Sequence, residues 1–124
     1  MTATTRPDAT QAHALTTAEL KQLAKELDLQ TDLATAILPL ALLNLTILDR
    51  KQQDYGRTNL TEFGVFGVVV RMNDKMQRLK HLTERGAGAG AQFEPIKDTL
   101  LDLANYAYIA YAMHALGWPK GGAS

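Results

Sequence analysis

Two stripes of charge carry whatever chemistry this chain performs. Glu94, Asp98, Asp102 and Asn105 recur at spacings of 4, 4 and 3 residues. On a helix turning about 100° per residue, that gathers them within roughly 80° of arc. The same helix is apolar in nearly every other direction, through Leu100, Leu101, Leu103, Tyr106, Tyr108, Ile109 and Tyr111. Buried carboxylates are costly unless cations, a metal or water in a cleft meet them. The preceding helix offers the complement: Arg71, Asp74, Lys75 and Arg78 share one face at i, i+3, i+4, i+7. Beside them, not opposite, runs an apolar stripe of Val65, Val68, Met72, Met76 and Leu79. A charged stripe flanking a core stripe is the pattern of a cleft wall. Asp98 and Asp102, one turn apart, are placed to share Mg²⁺, which takes few protein oxygens and keeps positions for water and phosphate. Glu94 or Asp74 would complete the set, as a further ligand or as the base for a water. Arg71, Lys75, Arg78 and Lys51 would grip phosphate oxygens, arginine in bidentate fashion. Tyr55 or Tyr106 would stack on a base, and Asn105 extends the polar stripe. The constellation suits a nucleoside phosphate carried with Mg²⁺.

Plainer readings compete. Asp74 with Arg78 matches an ordinary exposed i, i+4 pair, worth a few tenths of a kcal/mol. Asp98 and Asp102 match the acidic bias of a helix N-terminus. The fourth-helix stripe resists the plain reading better, because its other faces leave no evident solvent side. His13, His81 and His114 show no metal-ligand spacing. Tyr106, Tyr108 and Tyr111 read as packing more than as a base-stacking box.

Four helices must position these groups. Thr16-Thr17-Ala18-Glu19 has the capping-box form, a hydroxyl at the cap and a carboxylate three residues on. It predicts a helix over 17–27 with Leu20, Leu23, Ala24 and Leu27 on one face. Gln30-Thr31-Asp32 opens a second helix reaching about residue 53, with a kink or break near Leu38 caused by Pro39. Gly56 is its expected left-handed terminator. Residues 57–63 read as a loop, and 64–84 as a third helix despite Val68-Val69-Val70. The Gly-Ala run 86–91 reads as a flexible connector: it lacks the Gly-Lys-Ser/Thr ending of a phosphate loop. The fourth helix is expected from Glu94-Pro95, with proline welcome in a first turn, to about Gly117. The fold class is therefore all-α, a four-helix bundle-like domain over 16–118. Residues 1–15 are expected as a disordered tail and 119–124 as a frayed one, with Trp118 folded back. A helix that is apolar all round is buried by its own domain or by a partner subunit, so a homo-oligomer is expected.

Composition bounds the rest. The 124 residues carry 13 Lys+Arg and 13 Asp+Glu, so the net charge is zero and general nucleic-acid or anionic-membrane binding is not expected. Cys is absent, which removes disulfides, thiolate metal sites and a Cys nucleophile, and fits a cytoplasmic setting. The most apolar run, 33–48, contains Pro39 and Asn44 and is short for a membrane span, so it reads as a buried helix.

Three blocks resemble the nucleotide modification associated domain 1 family of phages and bacteria. They are Lys51-Gln-Gln-Asp54-Tyr55-Gly56, then Phe66-Gly67 through Arg71, Asp74, Lys75 and Arg78-Leu79, then Asp98 through Asp102 to Asn105-Tyr106-Ala. They stand in the family's order within residues 42–116. The resemblance implies an all-helical domain linked to nucleotide or DNA-base modification. The chain is also distantly similar to the all-α NTP pyrophosphohydrolases, which hold Mg²⁺ on acidic residues of neighbouring helices. Their pattern needs a Glu-x-x-Glu block on an earlier helix. This chain departs from it, offering Asp49 and Asp54 on the second helix and Glu19 and Glu26 on the first. Three functions follow as expectations: a Mg²⁺-dependent nucleoside triphosphate pyrophosphohydrolase; a non-catalytic protein that sequesters a nucleotide-derived, immune-type signal; or an adaptor in an enzyme complex.

Overall fold

A computed structural model of the chain describes residues 15–56, 58–84 and 89–119. Among these there are five helices and no strand: α1 Thr17–Glu26, α2 Asp32–Tyr55, α3 Thr58–Thr61, α4 Gly64–Glu84 and α5 Ala89–Ala115. The all-α class holds, with one helical turn, α3, where the sequence suggested only a loop. The stretch 16–118, read as one helical domain, carries two compact units, Met1–Lys51 and Gln52–Ser124. Of the tails expected at 1–15 and 119–124, residues 1–14 and 120–124 lie outside the described residues.

In the first unit, local signals set the helix starts. The Thr16 amide donates to Glu19 Oε1 at 2.8 Å, and the Glu19 amide donates back to Thr16 Oγ1 at 3.0 Å. This reciprocal cap satisfies two of the amides that a helix start leaves unpaired. Thr31 caps α2 in one direction, its hydroxyl accepting from the Ala34 amide at 3.1 Å. Of the kink or break expected near Leu38, the break does not occur: the α-helix continues through Pro39. Proline removes one rung, and the strong helix formers around it carry the ladder past the gap. The expectation of a buried helix over 33–48 is not met. Asn44 is the one buried residue of α2, while Leu33, Ile37, Leu40 and Leu45 are all exposed. α1, ten residues with none buried, is too small to cover them. α2 is also the one described helix long and apolar enough, by length and composition, to cross a membrane.

In the second unit, Gly56 ends α2 at φ 74, the left-handed geometry that glycine adopts without a Cβ penalty. α3 packs on α4, and α4 runs along α5. The seam between α4 and α5 holds the apolar core: Val68 with no exposure, Leu79 and Ile109. α4 has the bounds that its apolar period predicts. α5 starts earlier than predicted, at Ala89, and Pro95 lies inside it. Alanine is the best helix former and each glycine costs only about 1 kcal/mol, so the described part of the Gly-Ala run joins the helix. At the far end Gly117, φ 74, lets Trp118 turn back and donate its amide to the Ala112 carbonyl at 3.1 Å.

Gly67, near the start of α4, is required by a close approach. A Cβ placed there would lie 2.7 Å from Phe63 Cβ, an atom fixed to the backbone. Gly67→Ala gains about 1 kcal/mol of helix propensity but must displace that turn, at about 1–3 kcal/mol. The expected outcome is a lower Tm by circular dichroism, the reverse of the usual glycine-to-alanine gain on a helix.

Candidate functional site

α4 and α5 present their charged stripes to each other. Lys75 and Arg78 from α4 and Glu94, Pro95, Asp98, Thr99 and Asp102 from α5 line an open cleft of ≈ 370 Å³. The size falls in the lower part of the range of small-molecule sites. Positions 75 and 78 share a face of α4, and 94, 98 and 102 stack one turn apart on α5. Continuous helices on both walls fix the spacing of the groups along the cleft.

Two contacts organise the cleft. Lys75 Nζ meets Asp102 Oδ2 at 2.9 Å, with both side chains about a quarter exposed. Arg78 Nε donates to Thr99 Oγ1 at 3.2 Å, and the Thr99 hydroxyl donates to the Pro95 carbonyl at 2.6 Å. Thr99 is 3% exposed, so its hydroxyl is a fixed post against which the guanidinium is braced. That leaves both Nη groups of Arg78 without a protein partner among the described residues. The Asp98 carboxylate is exposed and likewise unpartnered among them. Glu94 has a loose exposed pair with Lys97 at 3.6 Å. The lining carries two cations and three carboxylates, one negative charge in excess.

Of the eleven residues singled out from sequence, five line the cleft: Lys75, Arg78, Glu94, Asp98 and Asp102. The other six, Tyr106 among them, do not. Arg71 turns to α3, donating from Nη2 to the Asn59 carbonyl at 2.8 Å and to Asn59 Oδ1 at 3.1 Å. Asp74 shares the charged face of α4 but is exposed outside the lining. Asn105 is buried one turn beyond Asp102, and Tyr55 is 66% exposed. Lys51 is the last residue of the first unit and does not line the cleft. Among the described residues no three of His, Asp and Glu gather closely enough to hold a metal ion. Sequence reasoning missed Thr99 and Pro95. The available signal was position: Thr99 lies four residues after Pro95 and three before Asp102, on the flank of the carboxylate arc.

The chain matches no protein-family model, and neither a curated protein nor a solved structure is significantly similar to it.

Proposed function

We propose that the α4–α5 cleft binds the phosphate end of a nucleotide and holds it without cleaving it. The supporting observation is Arg78: a guanidinium braced on a buried hydroxyl, lining a cleft, with two donor groups still to satisfy. Planar paired donors of that kind suit phosphate oxygens. We take the choice of nucleotide among phosphate ligands from the three family-like blocks.

A lining with excess negative charge does not attract a bare polyphosphate. Mg²⁺ arriving with the phosphates removes that conflict, and Asp98 with Glu94 would supply its protein oxygens. When bound, the ion neutralises phosphate charge. Asp102, expected as a metal ligand, pairs with the Lys75 ammonium at 2.9 Å, and that pairing supports holding over hydrolysis.

Calorimetry with nucleoside mono-, di- and triphosphates tests this, with Mg²⁺ and then with a chelator. Binding that needs the cation, with the nucleotide recovered unaltered by mass spectrometry, is the expected result. Recovery of monophosphate plus pyrophosphate establishes the hydrolase reading instead. Absence of heat for every nucleotide overturns both.

A further inference from the structure

We infer that Asp102 sets how many phosphate groups the cleft accepts, by holding the Lys75 ammonium back from them. This rests on the phosphate reading of the cleft and assigns the residue that limits it.

Two rungs cross the cleft side by side. Lys75 meets Asp102 at 2.9 Å, and Arg78 meets Thr99 at 3.2 Å. Three residues separate the rungs on each helix, about 4.5 Å of axial rise. The numbering rises on α4 as it falls on α5, so the two helices run antiparallel here and the two cations are neighbours along the cleft. Adjacent groups of one phosphate chain could address both.

The rungs differ in charge. Thr99 is neutral, and its hydroxyl is fully used, accepting from Arg78 Nε and donating to the Pro95 carbonyl. Arg78 therefore keeps its whole positive charge for a ligand, with no carboxylate on it among the described residues. Lys75 instead faces a full negative charge. The side chains of that pair are 29% and 25% exposed, and partly buried charges are screened less than those at an open surface. A first phosphate finds the Arg78 Nη groups open. A second, one turn along, finds an ammonium whose charge Asp102 has cancelled, and meets that carboxylate as a like charge. The wild-type cleft thus holds one phosphate group and gains little from the next. Specificity of this kind is a difference in affinity set by a repulsive group. A metal ligand at position 102 predicts the opposite sign: its loss weakens phosphate carried with Mg²⁺.

The test is calorimetry of inorganic phosphate and of pyrophosphate, each with Mg²⁺, on wild type and Asp102→Asn. Asparagine keeps the size of aspartate, and Lys75 is exposed enough to hydrate, so the circular dichroism spectrum is expected to stay that of wild type. Asp102→Ser makes the same comparison if it does not. Asp102→Asn is expected to bind pyrophosphate about tenfold tighter than wild type, the worth of one charge-assisted hydrogen bond, with a smaller gain for phosphate. Adding Lys75→Met is expected to remove the gain. Where wild type binds, three results overturn the inference and leave the proposed function standing: weaker or unchanged pyrophosphate binding, an equal gain for both anions, or a gain that survives Lys75→Met. Pyrophosphate taken by Asp102→Asn, with wild type silent to both anions and to every nucleotide, supports the inference while the proposed function falls. Silence of both proteins overturns both.

Discussion

Arg78→Gln is expected to weaken Mg²⁺-nucleotide binding by about 10- to 100-fold while leaving the fold intact. A hydrogen bond to a charged group contributes about 1.5–3 kcal/mol, and each 1.4 kcal/mol is tenfold in affinity. Glutamine keeps polarity and part of the length but loses the charge and one of the paired donors. The side chain is exposed, so folding should barely register the change. Thr99→Val is the companion. It keeps the volume and removes the hydroxyl that accepts from Arg78 Nε. A positioning role for Thr99 predicts weaker nucleotide binding in this variant too, and combining it with Arg78→Gln should then add little. Titration calorimetry of the two single variants and the double variant reads this out. Additive losses would show that the two residues act separately.

Val68→Asp is expected to abolish the folded second unit, whereas Val69→Asp is nearly silent. Among the described residues Val68 is the largest fully buried side chain, and Leu79 and Ile109 join it in the apolar core. With so little core, a carboxylate at position 68 removes the central contact and also places an unpaired charge in the α4–α5 seam. Desolvating such a group costs several kcal/mol, a large share of the 5–15 kcal/mol that holds a domain folded. Val69, one residue along, is 46% exposed and would project the carboxylate to water. Thermal unfolding followed by circular dichroism should show a lost transition in the first variant. The second should stay close to wild type. Similar behaviour of the two would mean that the α4–α5 seam is not what stabilises this unit.

What the sequence made legible was local. The Thr16–Glu19 cap, the Gly56 terminator and the bounds of α4 each depend on a few neighbouring residues, and each was readable. The facing of the two charged stripes was readable too, because helical periodicity fixes which residues share a side. Arg71 was misplaced because its destination is Asn59, on a helical turn where the sequence suggested only a loop. Thr99 carries no formal charge, and a hydroxyl in a helix gives no signal of its own in the sequence. The start of α5 was read late because glycine suggested a break and the alanines between were given too little weight. The exposure of α2 was unreadable, since an apolar run says what a helix prefers and not what lies close enough to cover it.

Pro95 sits where the cleft begins, six residues into α5. Lacking an N–H, it cannot bond to the carbonyl one turn back, so the turns ahead of it are joined to the rest of the helix by one rung fewer. Glu94 rides on that weakly joined segment, whereas Asp98 and Asp102 stand on the unbroken part. The α5 wall is therefore uneven along its own length, less firmly tied at Glu94 than at Asp102.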